Sequence, residues 1–360
     1  MAVQRVCKLI LIVFPFSFIL FTYYLIISAK KDAQKNLTLK INSLARQRFQ
    51  KCPLNHHNFN GISVKCPERE FILEGWLSCM SWLNCDNIAL DVRIRHRIGK
   101  PGTLNAVKEV YKADWFGYDV VYSRCAHDMF AEDCLHGIKM VEGLQGSQYV
   151  IQLIGICYEN LEMVTAYHPY GSADNLEELL NQPELNKYNT LSTRFQLSMD
   201  YVSILNFLHN SPLGIRVMCD TNDIQKTLSQ YLISKDFHLI LNDVDALPEV
   251  KHDERKLIKC GKREITGSFV APEQLWPFKE REFNDKDMPG YDEKIDIWRI
   301  PSVTDRLLGR VPNSNEVRKL LLQLHEHCRR ENPQSRPTAA KVLQEYKDIA
   351  NFVNLETVKE

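Results

Sequence analysis

Two groups of acidic residues follow short apolar runs in the second half of the chain. Asp220 comes directly after residues 217–219, and Asp243 and Asp245 come shortly after residues 239–241. Carboxylate oxygens are ligands that Mg²⁺ prefers, so the closely spaced Asp243 and Asp245 are candidate metal ligands. Phosphoryl transfer needs a base for the acceptor hydroxyl, metal ligands, and cations for the phosphates. These aspartates could supply the acidic part of that machinery; for Asp243 and Asp245 the alternative is a solvated acidic turn.

Three further motifs lie downstream, in the order in which protein kinases carry them. They are A-P-E at 271–273, D-x-W at 296–298, and C-x4-P-x2-R-P-T at 328–338. The chain therefore resembles the protein-kinase fold. In that fold the A-P-E glutamate pairs with the arginine of the last motif, which implies an ion pair between Glu273 and Arg336. Asp296, in the central motif, is a further structural candidate.

The elements that must position these residues fall into two groups along the chain. Alternating apolar and polar residues predict strands at 106–111, 119–122, 150–154 and 163–167, and the helical period predicts helices at 128–144 and 191–209. The predicted fold class is therefore α+β and bilobal, with a small β-rich N-lobe and a larger helical C-lobe. A cleft between two such lobes is a natural ligand site.

The catalytic loop of kinases has an altered counterpart in this chain. Asp220 falls at the aspartate of the H-R-D motif, with Met218 and Cys219 in place of histidine and arginine. We assign Asp220 as the catalytic base, because a carboxylate at this position accepts the proton of the acceptor hydroxyl. A retained aspartate in an inactive relative of kinases is the alternative.

The metal-binding residues are altered as well. Asp243 falls at the metal-binding aspartate of the D-F-G motif, and Asp245 replaces its glycine. The metal-binding asparagine is absent from its usual place, where Gln225 stands instead. Asn222 is the other candidate that offers a carbonyl oxygen, and the choice between the two stays open.

The phosphate-binding lysine of kinases is missing from its strand, where Ser123 stands. The glycine-rich loop is also altered, and Gly102 lies just upstream of it. Lys108 resembles the relocated lysine of the with-no-lysine kinases, which reaches the same phosphates from the adjacent strand; an exposed strand lysine is the alternative. Gly137 falls at the helix glutamate that normally pairs with the lysine, and Asp133, one turn earlier, is its candidate replacement.

The first 65 residues have a different character. Residues 9–29 contain no charged side chain and are long enough to cross a bilayer as a helix. We expect a cytoplasmic tail at 1–8, an uncleaved signal-anchor at 9–29 and a polar stalk at 30–65, with a cleaved signal peptide as the alternative. Basic residues flank both ends of the span, so they do not decide its orientation. Asn36 begins an N-glycosylation sequon in the stalk.

The cysteines bear on the compartment. The chain has 11 cysteines, and Cys66, Cys79 and Cys85 lie close together without the spacing of a zinc site. This clustering favours disulfides and an oxidising lumen, with buried free thiols as the alternative. Cys219 and Cys260 are further disulfide candidates, and the sequence does not determine the pairing.

Longer runs make the resemblance more specific. Residues 226–232, 243–248, 269–277 and 291–298, together with the spacing of the first cysteines, resemble the protein O-mannose kinase family. The resemblance spans roughly residues 66–350. It implies a kinase-like domain at 66–352, begun by a cysteine-bearing segment at 66–87, and it implies ATP and Mg²⁺ or Mn²⁺ as cofactors.

The same resemblance implies where the chain acts and on what. It implies a single-pass type II protein of the endoplasmic reticulum membrane, with the Golgi as the alternative, and a lumenal catalytic domain. The implied acceptor is the 6-hydroxyl of an O-linked mannose in the glycan of α-dystroglycan. Peptide kinases carry a lysine two residues after the base, and Asn222 stands there instead, which agrees with a non-peptide acceptor.

Other functions remain compatible with the sequence. Ser123, Met218 and Cys219 fit an inactive pseudokinase scaffold, and a secretory-pathway Ser/Thr protein kinase is the third hypothesis. Binding of nucleic acid is disfavoured, because 45 basic residues balance 45 acidic ones and leave no excess positive charge for phosphates.

Overall fold

The computed structural model describes residues 66–76, 78–98 and 107–353. All of these except 74–76 belong to one compact unit. The predicted tail, membrane anchor and stalk, the sequon at Asn36, and Gly102 lie outside the described residues. Within the described ranges, no helix is both long and apolar enough to cross a membrane.

The smaller lobe is built on a five-stranded antiparallel sheet in the order β3-β4-β5-β7-β6. A short hairpin and a helix precede it, and a second helix lies between β5 and β6. The elements are β1 (Glu70–Phe71), β2 (Met80–Ser81), α1 (Cys85–Asp91), β3 (Val92–Arg97), β4 (Lys108–Trp115), β5 (Tyr118–Cys125), α2 (Ala131–Gly143), β6 (Leu153–Cys157) and β7 (Glu162–Ala166).

The larger lobe is mainly helical, with short two- and three-residue strands that shape its loops. Its elements are α3 (Leu176–Leu180), α4 (Leu191–His209), β8 (Ile215–Arg216), α5 (Ile224–Ser229), β9 (Tyr231–Ile233), β10 (Leu239–Leu241), β11 (Glu249–Val250), α6 (Lys294–Leu308), α7 (Ser314–Cys328) and α8 (Ala339–Phe352). Single 3₁₀ turns at 128–130, 173–175, 186–188, 272–274, 285–287 and 333–335 join or extend these elements.

The long helix α4 is the centre of the larger lobe. Thr190 caps it by accepting a hydrogen bond from the N–H of Thr193, which satisfies one of the free donors at its start. Residues on all of its sides are buried, because α6 and α8 both pack against it. The predicted helix at 191–209 is therefore confirmed at both ends.

The predicted bilobal α+β architecture is confirmed, with small differences at its strands. The helix predicted at 128–144 is a 3₁₀ turn followed by α2. The strand predicted at 150–154 begins later, at Leu153, because Val150 and Ile151 pair with Leu241 of β10 instead, where the Ile151 N–H donates to the Leu241 carbonyl oxygen. Hydrophobic period identifies the elements, whereas strand ends depend on which neighbours offer hydrogen bonds.

The ion pair implied by the kinase motifs is present. Arg336 donates two hydrogen bonds to Glu273, at 2.5 and 2.8 Å, and its side chain is completely buried. The guanidinium also donates to the backbone oxygens of Arg330, Glu331 and Lys294. The pair therefore joins the 3₁₀ turn at 272–274 to α6 and to the segment before α8.

Four disulfides stabilise the described part of the chain. They join Cys66 to Cys79, Cys85 to Cys157, Cys125 to Cys134, and Cys219 to Cys260. All five predicted candidates are therefore paired, and Cys125, Cys134 and Cys157 are partners that the sequence did not identify. Cys328 is a buried free thiol.

Loss of the Glu273 charge should destabilise the fold. In Glu273→Gln the shape is kept but the buried Arg336 loses its carboxylate partner, so we expect the free energy of unfolding to fall by about 3 kcal/mol. Denaturant unfolding measures this. The control is Glu316→Gln, which breaks the exposed pair with Lys319 and should leave the midpoint unchanged. Equal effects of the two variants would contradict the prediction.

The disulfide from Cys219 to Cys260 should contribute more stability than the short one from Cys125 to Cys134. The sequence separations are 41 and 9 residues, and closing the longer loop removes more entropy from the unfolded chain. Paired Cys→Ser variants should lose about 4 and about 2.6 kcal/mol respectively. A smaller loss for the longer loop in denaturant unfolding would disprove this ranking.

Candidate active site

The loop that carries Asp220 is anchored by two buried charges on α6. Asp296 accepts a hydrogen bond from the backbone N–H of Met218, and Arg299 donates to the carbonyl oxygen of the same residue. Asp296 and Arg299 are fully buried and lie 2.9 Å apart, and His209 contacts the other carboxylate oxygen of Asp296 at 3.0 Å. The predicted structural role of Asp296 is therefore to hold the backbone two residues before Asp220.

The activation segment, which we define as residues 243–273, is tied to the same loop. The backbone N–H of Cys219 donates to Ala246 and that of Val217 donates to Pro248. Strands β8 and β11 pair across the two segments, and the disulfide from Cys219 to Cys260 joins them covalently. The altered H-R-D sequence thus leaves a firmly held loop.

Asp220 itself lies at the surface of the cleft, with its side chain 38% exposed. Its carboxylate forms an ion pair with Lys226, whose Nζ lies 2.6 Å from Oδ2. Lys226 belongs to the short helix α5, which is capped by Asp223 through a hydrogen bond from the N–H of Lys226. A base open to solvent on one side can be reached by an acceptor hydroxyl.

Lys108 reaches the same region from the other lobe. Its Nζ lies 2.8 Å from Oδ1 of Asp243 and 3.3 Å from Oδ2 of Asp245. In the β4–β5 register Val110 pairs with Ser123, and Lys108 is two residues from Val110, so Lys108 is on the face of the sheet that carries Ser123. The register therefore explains how a lysine on β4 can serve where β5 has a serine.

These charges perturb one another. Burial would lower the pKa of Lys108, but Asp243 and Asp245 outweigh it and hold that pKa well above its ordinary value. Burial opposes ionisation of Asp243 too, yet the charge of Lys108 prevails and lowers its pKa. Burial, aided by the Asp243 charge, raises the pKa of Asp245 to about 6. At neutral pH the cluster therefore holds Lys108 as a cation against ionised Asp243.

Asp133 does not lie where the sequence placed it. It is exposed on α2, and among the described residues the ion pairs of Lys108 are those with Asp243 and Asp245. Gly137 is buried on the same helix, and a Cβ there would lie 3.2 Å from Cβ of Asp245. Because glycine leaves this space open, the activation segment places Asp245 against the helix, and Asp245 takes the partner role expected of Asp133.

The donor set suits a hard divalent cation. Asp243 and Asp245 offer carboxylate oxygens, which Mg²⁺ and Mn²⁺ bind well. Asn222 and Gln225 are both exposed near Asp220, so their carbonyl oxygens remain alternatives. The residues present fit a metal ion. Which of the two residues takes the role of the metal-binding asparagine stays a prediction.

Lys226 is the residue that reasoning from the sequence missed. It lies six residues after Asp220, whereas peptide kinases carry a lysine two residues after the base, where this chain has Asn222. One signal was available: Asp223 is a good helix-capping residue, and a helix that starts there turns the chain back toward Asp220.

Sequence comparison shows which known proteins the chain is similar to. No protein-family model matches the chain. Protein O-mannose kinase of Macaca fascicularis and that of Homo sapiens are each 46% identical to it over 285 residues, which is 79% of this chain and 80% of the relative. Protein O-mannose kinase of Xenopus laevis is 45% identical over the same shares.

Identity at this level over most of both sequences does not arise by chance, and the altered catalytic loop and displaced lysine lie within a kinase-like fold. The chain is therefore a kinase, and it belongs to the protein O-mannose kinase family.

Proposed function

We propose that the chain is an ATP-dependent glycan kinase that phosphorylates the 6-hydroxyl of an O-linked mannose. The family supports the type of acceptor, since its curated members are named protein O-mannose kinases. The observation that carries activity is the contact of Lys108 with Asp243, at 2.8 Å. It joins a phosphate-binding cation of one lobe to a metal ligand of the other.

This contact argues against an inactive scaffold. A lysine and two aspartates that contact one another in a cleft and shift one another's pKa values are typical of a functional site. Ser123, the strongest sequence argument for inactivity, is buried and donates to the backbone oxygen of Met163, so its position is structural. Lys108 supplies the missing ammonium from the adjacent strand.

The residues have distinct roles in the transfer. Asp220 accepts the proton of the mannose hydroxyl while the hydroxyl oxygen forms a bond to the γ-phosphorus of ATP. The bond from that phosphorus to the bridging oxygen breaks, and ADP leaves with the electron pair. Lys108 binds the phosphates as a fixed cation.

A divalent metal completes the cofactor set. Mg²⁺ or Mn²⁺ would be held by Asp243 and Asp245, with Asn222 or Gln225, and would neutralise charge on the β- and γ-phosphates. Asp245 also contacts Lys108, so it positions the ammonium group of Lys108 as well as offering an oxygen to the metal.

The finer details of the proposal rest on the family and the cysteines. We infer α-dystroglycan as the carrier of the glycan, and the lumen of the endoplasmic reticulum, or the Golgi, as the compartment. Disulfides persist in oxidising compartments, so the four disulfides support a lumenal domain. An anchor at 9–29 would then give a single-pass type II protein.

The acceptor can be tested directly with the full chain purified in detergent. Labelled ATP, Mg²⁺ or Mn²⁺ and an O-mannosyl glycan should give phosphate on the 6-hydroxyl of mannose. Asp220→Asn should lower kcat by about 100-fold or more, because the base is lost. Phosphate on peptide serine instead would favour a Ser/Thr kinase, and no transfer from folded protein would favour a scaffold.

Lys108→Met tests the displaced lysine. Without the ammonium group the phosphates lose a fixed cation, so kcat/KM for ATP should fall by about 100-fold. Lys139→Met is the matched control, because Lys139 is an exposed lysine of the adjacent helix α2 and should have no effect. Unchanged turnover and nucleotide affinity in Lys108→Met would refute the assignment.

A further inference from the structure

Among the described residues near Asp220, the proposed function gives Lys226 no role. Lys226 lies 2.6 Å from the carboxylate of the base, Asp220. Burial would lower its pKa, but the hydrogen bond and charge of Asp220, together with the charges of Asp243 and Asp245, raise it. Lys226 is therefore a cation that senses all three carboxylates of the site.

Three features hold Lys226 in place. Its backbone N–H donates to the side chain of Asp223, at 2.8 Å. Its carbonyl oxygen accepts hydrogen bonds from Ser229 and from Gln230, at 2.8 and 3.0 Å. The backbone of Gln230 in turn accepts from the N–H groups of Asn242 and Asp243. These hydrogen bonds join helix α5 to the segment that carries Asp243, and they fix the backbone position of Lys226.

The ammonium group of Lys226 lies close to where the reacting atoms must be. The acceptor oxygen must lie within hydrogen-bond distance of Asp220 and in line with the γ-phosphorus. An ammonium group 2.6 Å from Asp220 is therefore within reach of the phosphoryl group that moves between ADP and the acceptor. In peptide kinases the lysine near the base comes from the residue two positions after it. In this chain that residue is the exposed Asn222.

We propose that Lys226 is a further catalytic residue, which neutralises the charge of the phosphoryl group during transfer. The assignment rests on the proposed phosphoryl transfer and names a second cation for it. Lys108 acts from the smaller lobe and Lys226 from the larger one, so the two ammonium groups approach the phosphates from opposite sides of the cleft. Charge develops on the oxygens around the transferred phosphorus in the transition state, and fixed cations stabilise it most there.

A purely structural role for Lys226 predicts different results. If the lysine only held α5 or the side chain of Asp220, its loss would lower stability or weaken substrate binding. Loss of a group that acts on the phosphoryl being transferred lowers kcat and leaves KM nearly unchanged. An arginine at the same place would keep the positive charge and should restore part of the rate.

The test compares Lys226→Met, Lys226→Arg and a control in the full chain. Lys319→Met is the control, because Lys319 also forms an ion pair on the larger lobe, with Glu316 at 2.9 Å, and lies outside the activation segment. We expect Lys226→Met to lose about 100-fold in kcat, with KM for ATP and glycan within about threefold of wild type. Its unfolding midpoint should match that of the control.

Two readouts separate this proposal from the proposed function. Transfer to the mannosyl glycan tests both, and slow ATP hydrolysis, in which water is the acceptor, tests Lys226 even if the glycan is not the substrate. Loss of kcat in both reactions, with partial recovery in Lys226→Arg, supports the assignment. It is overturned if Lys226→Met keeps the wild-type kcat, if the loss lies only in KM, or if Lys226→Arg is as impaired as Lys226→Met.

Discussion

The contact on which the site depends is the buried ion pair of Asp296 and Arg299 with the backbone of Met218. The pair binds both the N–H and the carbonyl oxygen of one residue, two positions before Asp220, the proposed base. Arg299 also donates to Gln274, next to Glu273, so the clamp extends to the end of the activation segment. Buried charges are tolerated where hydrogen bonds satisfy them, and here the backbone supplies part of that satisfaction.

Around this clamp other residues stand where most kinases have their conserved ones. The ammonium group comes from β4 instead of β5, and the partner carboxylate comes from Asp245 instead of the helix α2. A covalent bond from Cys219 to Cys260 joins the catalytic loop to the activation segment, where the kinase motif has an arginine. Charge and position are what phosphoryl transfer requires, so different residues can meet the requirement.

One disulfide cross-links the loop that carries Asp220 to the activation segment. Cys219 lies next to Asp220, and its partner belongs to the activation segment. The cluster of buried apolar residues around it includes Val217, Ile258 and Tyr291, so the cross-link is enclosed by packing as well as by covalent geometry. In this chain a covalent bond helps to order the activation segment, and such a bond persists in an oxidising compartment such as the one we propose.

The sequence by itself predicted the bilobal class and the long helix at 191–209, and its kinase motifs predicted the Glu273–Arg336 pair, because period and short motifs are local. It also singled out Asp220, Asp243 and Lys108 as candidate site residues. Tertiary structure decided which carboxylate meets Lys108, since the answer depended on the space left by Gly137 on another element. It also decided the disulfide partners and brought Lys226 to Asp220. Contacts between distant segments follow from packing, which no spacing along the chain records.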